Sequence, residues 1–142
     1  MTAIVCIDDR GGMLFNKRRQ SRDRVLIEDV IALANTEGAR LLASPFSEKL
    51  LSEYCSTAIY SDDFLDIAEK NDVCFVENCP LLPYFDKINR LIIYRWNRTY
   101  PYDTCLDLLP LSDSWKLDGS SELAGYSHEK ITKEIYLTQH EF

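Results

Sequence analysis

Short apolar segments alternate with amphipathic helical segments along the first two-thirds of the chain. The opening run Ala3–Asp8 is apolar until it ends in an acid, which is typical of a strand buried on both faces. A helix is predicted from Arg22 to Thr36, with Ser21 as its cap and Gly38 at its end. Its apolar side chains recur at helical spacing and form one face: Leu26, Ile27, Val30, Ile31, Leu33 and Ala34.

The alternation continues to Trp96 and then changes. Further strands are predicted at 40–43, 57–60, 72–76 and 90–96, with short helices after Ser47 and Asp63. Residues 131–138 alternate between apolar and polar, so they and 115–117 predict an antiparallel hairpin. This order indicates an α/β, three-layer fold, in which a central, mostly parallel sheet ends in a C-terminal antiparallel hairpin.

The composition limits the class of protein. The 142 residues predict one domain, 1–142, and 46% hydrophobic with 27% charged residues is ordinary for a globular protein. No apolar run approaches the roughly 18 residues of a membrane span, so no membrane partner is expected. The five cysteines are odd in number, none are spaced C-x-x-C, and Cys6 and Cys74 lie within apolar runs, which together indicate a reduced, cytoplasmic protein. Only two histidines, His128 and His140, are present, so no metal site is predicted.

A basic cluster follows the first strand, although the net charge of the protein is −7. Its members lie within eight positions after a glycine pair: Lys17, Arg18, Arg19, Arg22 and Arg24. Open α/β sheets bind ligands at the carboxyl ends of their strands. Arg18, Arg19 and Arg22 would bind phosphate or carboxylate groups there, and Asn16 would add an amide. The alternative is a solvated, flexible loop whose arginines pair with the chain's own acids.

The opening AIVCIDDRGGM and the later KINRLIIYRWNRTYPYDTCLDL resemble parts of the dihydrofolate reductase fold. The first is similar to that family's first strand and glycine-containing loop, and the second to its late strand and following turn. The resemblance covers most of the chain and implies a closing antiparallel hairpin. The segment FNKRRQSRD also resembles short bacterial proteins, some of them labelled ribonuclease Z. That label implies a histidine-rich two-zinc site, which two histidines cannot form.

The chain departs from dihydrofolate reductases where that family binds NADP. Ser44-Pro45-Phe46-Ser47 stands at the family's Gly-Arg-x-Thr, so the arginine that serves the cofactor phosphates is missing. Glu77-Asn78 replaces two glycines that let the pyrophosphate approach the backbone, and a carboxylate there repels it. We therefore expect that the protein binds no cofactor. Only the alternative hypothesis, in which the chain is a reductase, requires NADP.

Two residues are candidates for catalysis. Asp23 matches the family's helix carboxylate, which binds a pterin ring, or else it is a first-turn acid favoured by the helix dipole. His128 would act as an acid or base, although an exposed or hydrogen-bonded histidine without a catalytic role is the commoner case. Arg98 lies between aromatic residues in WNRTY, a pattern that suits base stacking, but the acidic composition disfavours nucleic acid as a partner.

The leading hypothesis is a non-reductase that binds an anionic small molecule, a nucleotide or a protein partner through residues 16–24. One alternative is an NADPH-dependent reductase in which Asp23 orders the substrate ring. Another is a nucleic-acid-processing or interaction protein that uses Arg18, Arg19, Trp96 and Arg98. An exposed edge strand near the C-terminal hairpin would also support a homodimer.

Overall fold

A computed structural model of the protein describes residues 1–138, so His140 lies outside the described residues. The described chain forms ten strands: β1 (Thr2–Ile7), β2 (Gly12–Phe15), β3 (Arg18–Arg19), β4 (Leu41–Ala43), β5 (Ile59–Tyr60), β6 (Val73–Phe75), β7 (Arg90–Arg95), β8 (Thr104–Cys105), β9 (Trp115–Leu123) and β10 (Ile131–Thr138). It also forms α1 (Arg24–Glu37), α2 (Glu48–Leu51), α3 (Phe64–Ile67) and two short 3₁₀ helices, Pro45–Ser47 and Leu82–Lys87. None of these helices has the length and hydropathy needed to cross a membrane.

Seven of the strands form the central sheet, in the order β5–β4–β6–β1–β7–β10–β9. Strands β5, β4, β6, β1 and β7 pair in parallel, whereas β10 runs antiparallel to both β7 and β9. The apolar strand β1 lies in the middle, with parallel neighbours on both sides, as its sequence predicts. The predicted mostly parallel sheet with a C-terminal antiparallel hairpin is therefore confirmed.

Helices cover both faces of this sheet, and this confirms the three-layer α/β architecture. Successive side chains of a strand point to opposite faces. Ile4 of β1 and Ile92 of β7 therefore belong to the buried cluster that includes α1 and α2 side chains, whereas Val5 and Ile93 belong to a second cluster with Phe64 of α3. Each face has its own core, and α1 is the longest element of the first.

Helix α1 begins two residues later than predicted, and its cap is Asp23 rather than Ser21. The Asp23 carboxylate accepts a hydrogen bond from the backbone N–H of Val25 at 2.9 Å. At the other end, Gly38 has a left-handed φ of 61°, and its backbone N–H donates to carbonyl oxygens of the last turn. Glycine adopts this conformation without the steric strain that a Cβ atom causes.

A second, three-stranded antiparallel sheet, with the order β3–β2–β8, is not predicted by the sequence patterns. Strands β2 and β3 form a hairpin around Asn16 and Lys17, whose φ angles are both positive, at 51° and 60°. Two positive φ angles are typical of the tight type I′ hairpin turn. The basic cluster thus begins in a regular β-hairpin.

Two glycines that have space for a methyl group give a matched test of the α1 cap. Within the described residues 1–138, nothing lies within 4 Å of a Cβ atom added at either Gly38 or Gly119, but of these two only Gly38 has a positive φ. We expect Gly38→Ala to lower the free energy of unfolding by about 1 kcal/mol through backbone strain. Gly119→Ala, in β9, should raise it slightly, because alanine restricts the unfolded chain. Urea denaturation of both variants measures the difference; equal effects would contradict the assignment of the cap.

Candidate functional site

Asp8 fixes the connections around the carboxyl end of β1. Its buried carboxylate accepts hydrogen bonds from the backbone N–H groups of Gly12 (2.8 Å), Arg10 (2.9 Å) and Tyr100 (3.1 Å), and from the side-chain amide of Gln20 (3.2 Å). Burial alone would raise the pKa of Asp8, but these hydrogen bonds outweigh it and lower the pKa. The carboxylate therefore stays ionised and holds three separate loops together.

Arg19 forms an ion pair with Glu77 across the end of the sheet. Its Nε and Nη2 groups donate to the two carboxylate oxygens of Glu77 at 2.8 and 2.9 Å, and Ser47 Oγ donates to the same carboxylate at 2.7 Å. The guanidinium also lies 5.1 Å from the centre of the Phe46 ring. The hydrogen bond with Glu77 raises the pKa of Arg19. One of the predicted anion-binding arginines is thus already paired with an acid of the chain.

An open cavity of about 560 Å³, which we name the basic groove, lies beside the β2–β3 hairpin. Three of the predicted ligand-binding residues line it, Asn16, Arg18 and Arg19, together with Phe15, Gln20, Tyr100 and Pro101. The structure does not bring the other two to this groove. Arg22 lines a neighbouring inner cavity with Arg19, and Arg98 lies in the turn after β7, where its carbonyl accepts a hydrogen bond from the backbone N–H of Asp9.

Asp23 is buried, and its carboxylate joins the start of α1 to the connection between β9 and β10. Besides Val25, the backbone N–H groups of Tyr126 (3.0 Å), Ser127 (2.8 Å) and His128 (3.1 Å) donate to it. Burial would raise the pKa of Asp23, but these groups and the His128 ring lower it far below its ordinary value. The carboxylate remains an anion and an acceptor in the folded protein.

The structure brings the two predicted catalytic residues into contact. His128 Nδ1 lies 3.0 Å from Asp23 Oδ2, and the two side chains are 4% and 0% exposed. The ring stacks on Trp96, with centres 4.6 Å apart and planes inclined by 29°. On the other edge of the ring, Nε2 lies 2.9 Å from Ser21 Oγ and 3.2 Å from the Tyr100 hydroxyl. His128 is therefore a buried, hydrogen-bonded histidine with a carboxylate on one nitrogen and hydroxyl groups on the other.

The sequence patterns do not identify Ser21 as a site residue. They indicate only that it caps a helix. It lies 107 residues from His128 in the chain, so no local spacing links the two. In the structure it lines the inner cavity, a space of about 20 Å³ between α1 and the central sheet. Arg19 and Gln20 line both the inner cavity and the basic groove, so the two spaces adjoin.

Gly125 makes room for the Asp23 carboxylate. A Cβ atom at this position would lie 2.5 Å from the His128 carbonyl oxygen and 2.7 Å from Asp23 Oδ2. Both distances are shorter than real Cβ atoms show, and one of the two neighbours is backbone. A side chain at position 125 would therefore displace either the turn or the carboxylate.

Comparisons with known proteins find similarity in structure and not in sequence. No family model matches the chain, and no curated protein matches it either. Among solved structures, it is similar to a dihydrofolate reductase from Enterococcus faecalis in complex with NADP(H) and RAB-propyl, with a TM-score of 0.64. The match covers 98% of this chain and 96% of that chain, at 11% sequence identity. The chain has a dihydrofolate reductase fold. An identity this low shows the fold alone.

The residues at the ends of β4 and β6 do not fit the NADP pyrophosphate that this fold family binds. The Glu77 carboxylate, 10% exposed as a side chain, is held by Arg19 and Ser47 where the resemblance would place the phosphates. Asn78 Oδ1 accepts a hydrogen bond from Ser44 Oγ at 3.0 Å. A carboxylate and two further side chains thus occupy these strand ends, whereas a pyrophosphate is bound by bare backbone N–H groups. Within residues 1–138, no group of three or more His, Cys, Asp or Glu side chains is arranged to hold a metal ion.

The Asp23 carboxylate gives a stability test with a defined pH dependence. A carboxylate whose pKa is lowered by folding stabilises the protein above the unfolded-state pKa of about 3.9, and the gain is lost as the pH falls through the folded-state pKa. We expect Asp23→Asn to cost about 2–3 kcal/mol at neutral pH, because buried N–H groups lose their charged acceptor. The difference from the wild type should shrink below about pH 4. Urea denaturation across this pH range measures it.

The exposed Asp118 of β9 supplies the matched control. Asp118→Asn removes the same charge from the surface and should change the free energy of unfolding by less than about 0.5 kcal/mol. A loss as small as this for Asp23→Asn would contradict the structural role assigned to the Asp23 carboxylate.

Proposed function

We propose that the protein binds an anionic small molecule of nucleotide type in the basic groove, and that it is not an NADPH-dependent reductase. The observation that carries the proposal is the ordered β2–β3 hairpin, which presents Asn16, Arg18 and Arg19 to one cavity. A volume of about 560 Å³ lies within the usual range for small-molecule sites. A hairpin with regular strand pairing would hold these side chains in place, which lowers the entropy cost of binding a ligand.

Arg18 is the cation most available to a ligand. It is exposed, and no acidic partner for it is found among residues 1–138, in contrast to Arg19, which Glu77 holds. The side-chain amide of Asn16 is likewise unengaged within that part of the chain, since only the backbone N–H of Asn16 donates, to Asp103. A guanidinium and an amide suit a phosphate or carboxylate group.

Aromatic side chains at the groove favour a ligand with a ring. Phe15 is 42% exposed, although it belongs to a strand whose other residues are buried. Tyr100 lines the same groove. A planar ring would stack on such faces while Arg18 binds its charged group, and this combination is what a nucleotide offers. The five free cysteines also fit the reducing cytoplasm that the sequence predicts.

Adenosine 5′-monophosphate is the probe that tests this site, with adenosine as the control that lacks a phosphate. We expect binding of the monophosphate, measured by calorimetry, to weaken steeply with added salt and adenosine to bind much more weakly. Arg18→Ala should reduce the affinity by about tenfold, the usual effect of losing one charge-assisted hydrogen bond. Lys116→Ala, which removes a cation from exposed β9, should leave it unchanged. An affinity for the monophosphate that changes neither with added salt nor in Arg18→Ala would overturn the proposal.

The reductase alternative has a direct assay. We expect no dihydrofolate-dependent oxidation of NADPH, because a carboxylate at the position that the resemblance assigns to the cofactor pyrophosphate would repel it. Arg19 and Ser47 hold the Glu77 carboxylate in place. NADPH binding alone does not discriminate, since an anionic dinucleotide would also be attracted to the basic groove. Steady turnover that is lost in Asp23→Asn would revive the reductase hypothesis.

A further inference from the structure

We propose that Ser21, His128 and Asp23 form a hydrolytic centre that cleaves esters of short carboxylic acids. Ser21 is the nucleophile, His128 is the general base, and Asp23 is a positioning residue. The proposal rests on the hydrogen-bonded chain Asp23 Oδ2–His128–Ser21 Oγ and on the cavity that Ser21 lines. It does not depend on anion binding in the basic groove.

The first contact of the chain sets the protonation pattern of the imidazole. Asp23 is an ionised acceptor, so His128 Nδ1, 3.0 Å away, carries a proton toward it. Nε2 then carries the lone pair. The hydroxyl groups of Ser21 at 2.9 Å and Tyr100 at 3.2 Å both lie within hydrogen-bond distance of it, and Ser21 is the nearer of the two. The same order of carboxylate, imidazole and hydroxyl activates serine in unrelated hydrolytic folds.

The turn at 126–128 is held by backbone groups, so the imidazole ring is not needed to satisfy the carboxylate. Asp23 already accepts the N–H groups of Val25, Tyr126, Ser127 and His128. The ring adds one further contact and is fixed by stacking on Trp96. Such fixation keeps Nε2 directed at Ser21, which general-base catalysis requires.

The inner cavity supplies a place for the acyl group and donors for developing charge. Its volume of about 20 Å³ has room for little more than one water-sized group, which limits the acid part of the ester to a short chain. Arg19, Gln20 and Arg22 line it with Ser21. Arg19 is held by Glu77, which also lines the cavity, and the Gln20 amide donates to Asp8 and Pro101. The Arg22 guanidinium is therefore the group that would stabilise the oxyanion formed when a carbonyl is attacked. The alcohol part of the ester would extend into the adjoining basic groove.

The reaction balances with water as the only co-reactant. Ser21 Oγ attacks the carbonyl carbon and its proton passes to His128 Nε2, which gives a tetrahedral oxyanion. The ester C–O bond then breaks, and the leaving alcohol takes the proton from Nε2, so that an acyl group remains on Ser21. Water attacks this acyl group, His128 takes a proton from the water and returns it to Ser21 Oγ, and the carboxylic acid is released.

The test uses the full chain and p-nitrophenyl acetate, a neutral ester that needs no groove arginine. We expect release of p-nitrophenol with an acetylated Ser21 identified by peptide mapping, and slower release from p-nitrophenyl octanoate. Ser21→Ala should abolish acetylation at that position, and His128→Asn, which keeps a donor toward Asp23, should slow release at least about 100-fold. Ser114→Ala, a half-buried serine outside both cavities, is the matched control and should react as the wild type does.

Mapping separates acylation of Ser21 from acylation of the free cysteines, of which Cys105 is exposed. A folded wild-type protein whose Ser21 is never acetylated would overturn the proposal, and so would an unchanged rate in His128→Asn. If His128→Asn loses its thermal transition, mapping of the wild-type protein decides alone. If Ser21 is acetylated but the monophosphate does not bind, only the assignment of the basic groove is overturned. If the monophosphate binds but Ser21 is not acetylated, only the hydrolytic centre is overturned.

Discussion

The buried carboxylate of Asp23 is the contact on which the arrangement of the site depends. It joins the start of α1 to a loop about 100 residues later, and among residues 1–138 all its donors except Val25 come from that loop. Because a buried anion is costly without such donors, the helix start and the loop have to be placed together. Arg24 adds to this junction by lying 4.2 Å from the centre of the Tyr126 ring. The position of the His128 ring follows from this junction.

Charge in the basic cluster is divided between structure and surface. Arg19 forms an ion pair with Glu77. Arg24 Nε lies 3.3 Å from Glu28 Oε1, one helical turn later. Only part of a cluster that looks strongly basic in the sequence is therefore available to a ligand. The same ion pair places the Glu77 carboxylate, neutralised by Arg19, at this end of the sheet.

The sequence predicts most of the central sheet because its strands carry their own signals. The alternation of 131–138 gives β10 with its observed bounds, and the apolar face of α1 is buried as its spacing predicts. The hairpin at Asn16 and Lys17 escapes prediction because it lacks the glycine that usually marks such turns and because β3 has only two residues. Asp23 and His128 can each be singled out by residue type. The contact between Asp23 and His128, and the contact between His128 and Ser21, cannot be predicted from the sequence, because long-range packing creates both.

Gly125 gives the Asp23 junction a signature that can be read in other sequences. The carboxylate and the His128 carbonyl leave no space for a side chain at this position. Chains of this fold that share the aspartate–histidine contact should therefore have a glycine three residues before the histidine. A glycine, an aspartate at the helix cap and a serine two residues before it together form a pattern by which distant relatives of this protein can be recognised and grouped.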